Sequence, residues 1–168
     1  KLIAKKKYPL FSADKIVLNL YKSNKLTKLL IKKFKLSNKK KIKNQVRLLI
    51  KKNKSNLRLL EAIIHPLVRE KMIIFLKKKQ KILVLEIPLL VESKLNQYFD
   101  KTIFVNTGKQ KRLKRYLKEN NDKKKFEILN KRQLSPLIKK KICDFTINNN
   151  YTLAILKKNV KKFMKIYE

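Results

Sequence analysis

Asp14 follows an apolar stretch, YPLF at 8–11, that reads as a short strand. A carboxylate at the C-terminal edge of an α/β sheet stands where ligands gather and can take a proton from an attacking hydroxyl. The same Ser12-Ala13-Asp14, placed ahead of a helical run, equally suits a helix N-cap. His65, the only histidine, precedes Pro66 in LEAIIHPLVR at 60–69 and is either a satisfied polar residue on a helix or a ligand contact. Glu92 comes just after Pro88-Leu89-Leu90, where it is either a surface acid or a group facing a ligand. Arg112 and Arg115, with Arg132 and Gln133 further on, bracket a polar segment that could close over a polyphosphate or form a solvated basic helix. Cys143 is the single cysteine, so no internal disulfide exists, and one histidine cannot build a zinc set.

These groups need elements to hold them. From 15 to 81 apolar residues recur at spacings of three and four (Ile16, Leu20, Leu26, Leu30, then Leu60, Ile64, Val68, Met72), which predicts amphipathic helices broken near 37–38 and 53–56. Asn53-Lys54-Ser55-Asn56 can turn the chain and cap the helix that carries His65, while Pro66 should start or kink a helix. Residues 82–87 form a continuous apolar run closed by Pro88, as in a strand buried on both faces of a parallel sheet, and 101–106 and 144–148 read as two more strands. A charged helical stretch at 109–131 is interrupted at 119–122, an amphipathic helix closes the chain at 152–167, and LIAKKK at 2–7 reads as the tail of a helix. Strands separated by helices predict an α/β domain with parallel pairing.

Composition bounds the partners. A chain of 168 residues with 43% hydrophobic content suits one ordinary domain. Its longest apolar stretch, 82–91, falls short of the roughly 20 residues that span a bilayer, and its first residues lack a signal-peptide apolar region, so the chain reads as cytoplasmic. The formal charge of +36 would ordinarily suggest nucleic acid. Only Arg47, Arg58, Arg69, Arg112, Arg115 and Arg132 carry the planar fork suited to phosphate and guanine, however, and the lysines are spread over every polar stretch. The charge is therefore read as compositional drift rather than selected nucleic-acid binding. Oligomeric state is left open.

Taken in order, YPLFSAD (8–14), LEAIIHPLVR (60–69), LEIPLLVES (85–93), RLKRYLKEN (112–120), KRQ (131–133) and DFTINN (144–149) resemble successive motifs of the dephospho-coenzyme A kinases, from about residue 3 to the end. The most specific part is Leu-Glu-x-x-x-His-Pro followed some twenty residues later by a strand and Pro-Leu-Leu-x-Glu. The resemblance implies a P-loop kinase fold, a parallel sheet of order 2-3-1-4-5 with helices on both faces, with ATP and Mg²⁺ as co-substrate and metal and dephospho-CoA as acceptor. It implies Asp14 as general base, and His65, Arg69, Leu89, Leu90 and Glu92 near dephospho-CoA. It also implies Arg112 and Arg115 on the ATP phosphates, Arg115 stabilising transition-state charge, and Asn149 near the adenine. The nucleotide-binding core would comprise 1–14 and 82–168, with a lid at about 112–133, and 15–81 would be a helical substrate domain.

Ser12 stands where the family commonly has an acid, and Lys118 or Glu119 stands where a second lid arginine is frequent. More seriously, the sequence contains no G-x-x-x-x-G-K-[ST], and its single glycine, Gly108, cannot supply one. The first central strand is missing with it, which predicts separation of the strands at 8–11 and 82–87 from those at 101–106 and 144–148. The reading this supports is an N-terminally truncated kinase, inactive and poorly stable as given. A basic nucleic-acid-binding protein and a non-catalytic dephospho-CoA-binding remnant are the alternatives.

Overall fold

In the computed structural model, residues 2–4, 7–36 and 41–167 are described. The chain divides into two compact units, residues 6–88 and residues 1–5 with 89–168. The first unit therefore takes in the strands at either end of the helical segment as well as the helices, whereas the sequence reading assigned 1–14 and 82–88 to the nucleotide-binding core.

In the unit of residues 6–88, β1 (Leu10–Ser12) runs directly into α1 (Ala13–Leu20), followed by α2 (Asn24–Phe34), α3 (Ile42–Lys52), α4 (Ser55–Leu76) and β2 (Val84–Glu86). Ser23 begins α2: its Oγ accepts from the Leu26 N–H at 3.3 Å and donates to the Leu20 carbonyl at 2.7 Å, which joins two helices through one hydroxyl. The 53–56 turn forms as expected. Asn53 ends α3 by donating its N–H to the Leu49 carbonyl, and its Oδ1 accepts from the Ser55 N–H at 2.9 Å to open α4. The other expected break, at 37–38, lies outside the described residues.

Pro66 does not start a helix but lies inside the 22-residue α4. Proline has no N–H to bond the carbonyl of Ala62, and both residues lie on the exposed side of the helix, where the lost bond costs least. Leu20, Leu26, Leu30, Ile42, Val46, Ile64 and Leu67 make the core, with Leu26 and Leu30 fully buried. Each such leucine contributes about 1.5–3 kcal/mol by leaving water. Phe11 of β1 meets Phe75 of α4 with ring centroids 5.5 Å apart.

In the other unit β3 (Ile103–Asn106) leads to α5 (Lys109–Asn120), α6 (Lys123–Lys131), α7 (Pro136–Ile142), β4 (Phe145–Asn148) and α8 (Leu153–Met164). The polar interruption becomes the turn at 121–122, where Asp122 Oδ1 accepts from the Lys125 N–H at 2.9 Å. Ser135 and Thr152 cap α7 and α8 in the same way. Residues 2–4 form a turn rather than a helix tail, and Lys5 and Lys6 lie outside the described residues. Phe145, Phe163 and Tyr167 pack edge to face or tilted, with centroids 5.0–6.0 Å apart, and Val160 and Met164 of α8 are buried.

Both strand pairs are parallel, with β1 against β2 in the register Leu10–Val84 to Ser12–Glu86 and β3 against β4 in the register Ile103–Phe145 to Asn106–Asn148. Among the described residues these are two separate two-stranded sheets. Every strand is then an edge, which explains why Val84 and Leu85 are only half-buried although their apolar run predicts burial on both faces. No helix among the described residues is long and apolar enough to cross a membrane.

Candidate active site

Asp14 lies in the first turn of α1, two residues beyond the end of β1. It is exposed, and its carboxylate has no hydrogen-bond or ion-pair partner among the described residues. Ser12 occupies the N-cap position without a side-chain hydrogen bond, so Asp14 is not the cap that its sequence context allowed. A carboxylate in the first turn gains from the helix dipole and is free to accept a proton.

His65 and Arg69 are one turn apart on α4 and both exposed. With Pro66, Glu70 and Ile73 they line an open groove of ≈ 370 Å³. Glu70 is already engaged by Lys25 Nζ at 2.9 Å, and that hydrogen bond and charge hold its carboxyl below the ordinary value. His65 and Arg69 thus supply the polar groups of this face that have no partner among the described residues.

Leu89 and Leu90 belong to a tight turn at 89–94, closed by Ser93 N–H to the Leu89 carbonyl at 2.9 Å and Leu95 N–H to the Leu90 carbonyl at 3.0 Å. Leu89 adopts φ 54°, a left-handed conformation that costs a non-glycine residue about 1–2 kcal/mol. Buried Val91 anchors the turn, and Leu89 and Leu90 stay half-exposed. Glu92 is not free: its Oε1 accepts from the Leu134 N–H at 2.8 Å and from Lys139 Nζ at 2.8 Å. Burial pushes its carboxyl up, but the Lys139 and Leu134 hydrogen bonds and the Lys139 charge outweigh that and hold it below the usual value.

Helices α5 and α6 form a hairpin, with Tyr116 against Phe126 at 5.6 Å and Lys109 Nζ on Glu127 at 3.0 Å. Its N-terminal root is fastened to the ends of β3 and β4. Gly108 N–H donates to Asn150 Oδ1 at 2.8 Å, Arg112 Nε to the Thr107 carbonyl at 3.0 Å, Arg115 Nη2 to the Asn149 carbonyl at 3.3 Å, and Lys111 Nζ to the Asn150 carbonyl. Arg115 and Asn149 are therefore brought together, though through the Asn149 main chain. Gly108 has φ −55° and precedes α5, so it makes no left-handed phosphate-binding bend.

Residues 2–154 match the sequence profile of the family described as Dephospho-CoA kinase. The chain belongs to that family. The dephospho-CoA kinase of Bartonella henselae is 33% identical over 157 residues, covering 89% of this chain and 80% of its own length. That of Rickettsia prowazekii is 31% identical over 172 residues, covering 99% and 88%. The crystal structure of TT1252 from Thermus thermophilus superposes with a TM-score of 0.78 over 99% of this chain and 88% of its own, at 22% identity. Dephospho-CoA kinase from Campylobacter jejuni superposes at 0.63, also at 22% identity, over 98% and 87%. The fold is thus the α/β kinase fold, and family membership makes the protein a phosphotransferase with ATP as co-substrate.

Lys139 and Asp144 escaped the sequence reading as structural groups. Lys139 is one of three consecutive lysines at 139–141, and only its side chain turns inward, to 12% exposure. Asp144 Oδ2 accepts from both the N–H and the hydroxyl of Thr102 at 2.7 Å, fastening the start of β3 to β4, and these bonds lower its carboxyl. The one available signal was the position of Asp144 at the head of DFTINN.

Proposed function

We propose that this chain catalyses ATP-dependent phosphorylation of the ribose 3′-hydroxyl of dephospho-CoA in the cytoplasm. The observation that carries the reading is the exposed, unpartnered Asp14 carboxylate just beyond β1, in a chain of this family. Asp14 takes the proton of the 3′-hydroxyl as that oxygen bonds the γ-phosphorus of ATP. The bond from γ-phosphorus to the bridging oxygen breaks, and ADP leaves with the electron pair. His65 and Arg69 on α4, with Leu89 and Leu90, receive dephospho-CoA; α1–α4 at 15–81 form the acceptor-binding part and the rest the nucleotide-binding part. Arg112 and Arg115, on the hairpin that serves as lid, face the phosphates, and Asn149 lies beside the adenine.

Magnesium enters with ATP as the counter-ion of its phosphates; among the described residues no three His, Cys, Asp or Glu side chains cluster to hold a metal. Because the 168 residues contain no Gly-x-x-x-x-Gly-Lys-Ser/Thr, the reading assigns them the base, the acceptor face and the lid, and expects no turnover from them alone. It assigns no nucleic-acid partner to the +36 charge.

The test joins these residues behind a strand and glycine-rich Gly-Lys-Ser/Thr loop taken from a relative and follows ADP release. Release that requires dephospho-CoA and disappears in Asp14→Asn is expected. Release indifferent to either would overturn the assignment.

A further inference from the structure

We propose that Glu92 is a positioning residue whose carboxylate latches the C-terminal root of the α5–α6 hairpin, rather than a group that touches dephospho-CoA. One oxygen does the work. Glu92 Oε1 takes the Leu134 N–H and the Lys139 ammonium, each at 2.8 Å, and thereby spans the linker between the end of α6 and α7. Lys139 adds Gln133 Oε1 at 3.2 Å and lies over the Phe104 ring of β3, 5.7 Å from its centroid. The linker, the 89–94 turn and the β3–β4 sheet thus meet on one ammonium–carboxylate pair.

Burial separates this pair from three exposed ones. Its side chains are 13% and 12% exposed, against 35–62% for Lys25–Glu70, Lys101–Asp144 and Lys109–Glu127. Exposed pairs contribute little, whereas removing one member of a desolvated, hydrogen-bonded pair strands the other. Little of the hairpin is buried. Helix α5 contains no buried residue and α6 only Phe126, and the N-terminal root is held by exposed polar contacts around Asn149 and Asn150. With the C-terminal root fixed by Glu92, Arg115 is located from both ends of the hairpin. A 42-residue separation between Glu92 and Leu134 keeps the contact out of reach of any local pattern.

The consequence for the reaction rests on Arg115 being a phosphate cation; the latch itself does not. Hydrogen exchange on the 168-residue chain tests the latch, with Glu92→Gln, Glu92→Ala and Lys139→Met as variants. Amide exchange at 123–134, including Leu134, should accelerate tenfold or more in each variant, while the α2–α4 core keeps its protection. The Glu92→Gln/Lys139→Met double variant should be no worse than either single change. The side-chain ¹H–¹⁵N resonance of Arg115 should move toward its free-arginine position in Glu92→Ala, a signature that a role confined to packing the 89–94 turn leaves unchanged. Unaltered exchange at 123–134 in Glu92→Ala overturns the proposal, as does a tenfold loss of dephospho-CoA affinity by calorimetry with exchange unaltered. Absence of any dephospho-CoA binding heat in the unsubstituted chain counts against the kinase reading alone, because exchange decides the latch without ligand.

Discussion

The helices of residues 6–88 and the α5–α6 hairpin carry opposite economies of side-chain use. The former bury Leu26, Leu30 and Val46 almost completely and leave Asp14, His65 and Arg69 exposed and, among the described residues, unengaged. The hairpin buries Phe126 and ties its cations, Lys111, Arg112 and Arg115, to main-chain carbonyls. Where apolar packing bears the fold, functional groups are spare. Where packing is thin, the groups expected to meet phosphate serve as fasteners, and a ligand must compete for them. A thinly packed element opens at smaller free-energy cost than a packed core.

The largest effect expected from this contrast is catalytic. In the chain completed with a phosphate loop, Asp14→Asn should lower kcat by about 10²–10⁴-fold, the usual worth of a general base. Its unfolding free energy should fall by no more than the about 0.3–1 kcal/mol that a first-turn carboxylate gains from the helix dipole, since Asp14 has no other partner among the described residues; a larger loss of stability would break the contrast.

Next comes the core. Leu26→Ala should cost about 2–5 kcal/mol in denaturant unfolding. A loss below 1 kcal/mol would mean that residues 6–88 are no better packed than the hairpin.

Acid should reach the hairpin before that core. Glu92, faced by Lys139 and Cys143, titrates below the ordinary glutamate value of 4.5 in the folded chain. The folded state therefore binds its proton less readily than the unfolded state does, so the latch contributes fully above about 4.5 and is lost as pH falls through the lower folded value. Exchange at 123–134, corrected for intrinsic rate, should rise over that acid window and become flat in Glu92→Gln.

The smallest effect sharpens the picture. Tyr116 Oη is buried against the hairpin without a hydrogen-bond partner among the described residues. Tyr116→Phe removes the unpaired hydroxyl and keeps the ring on Phe126, so the hairpin should gain about 1 kcal/mol by exchange; a loss would reveal a partner for the hydroxyl.

The sequence by itself determined the helical run and its turn at 53–56, four short strands, the break in the 109–131 helix and the family, because these depend on local periodicity, capping chemistry and ordered motifs. It also carried the expectation of two strand pairs, and among the described residues β1–β2 and β3–β4 are two two-stranded sheets. Only the tertiary structure decided that Pro66 sits inside α4, because that turns on whether Ala62 and Pro66 lie on an exposed face, as they do. Only it distinguished Lys139 from Lys140 and Lys141, and joined Glu92 to Lys139 and the Leu134 N–H. Those outcomes depend on which atoms of distant segments arrive within 3 Å of one another, and a contact between residues 92 and 134 leaves no trace in the spacing of either.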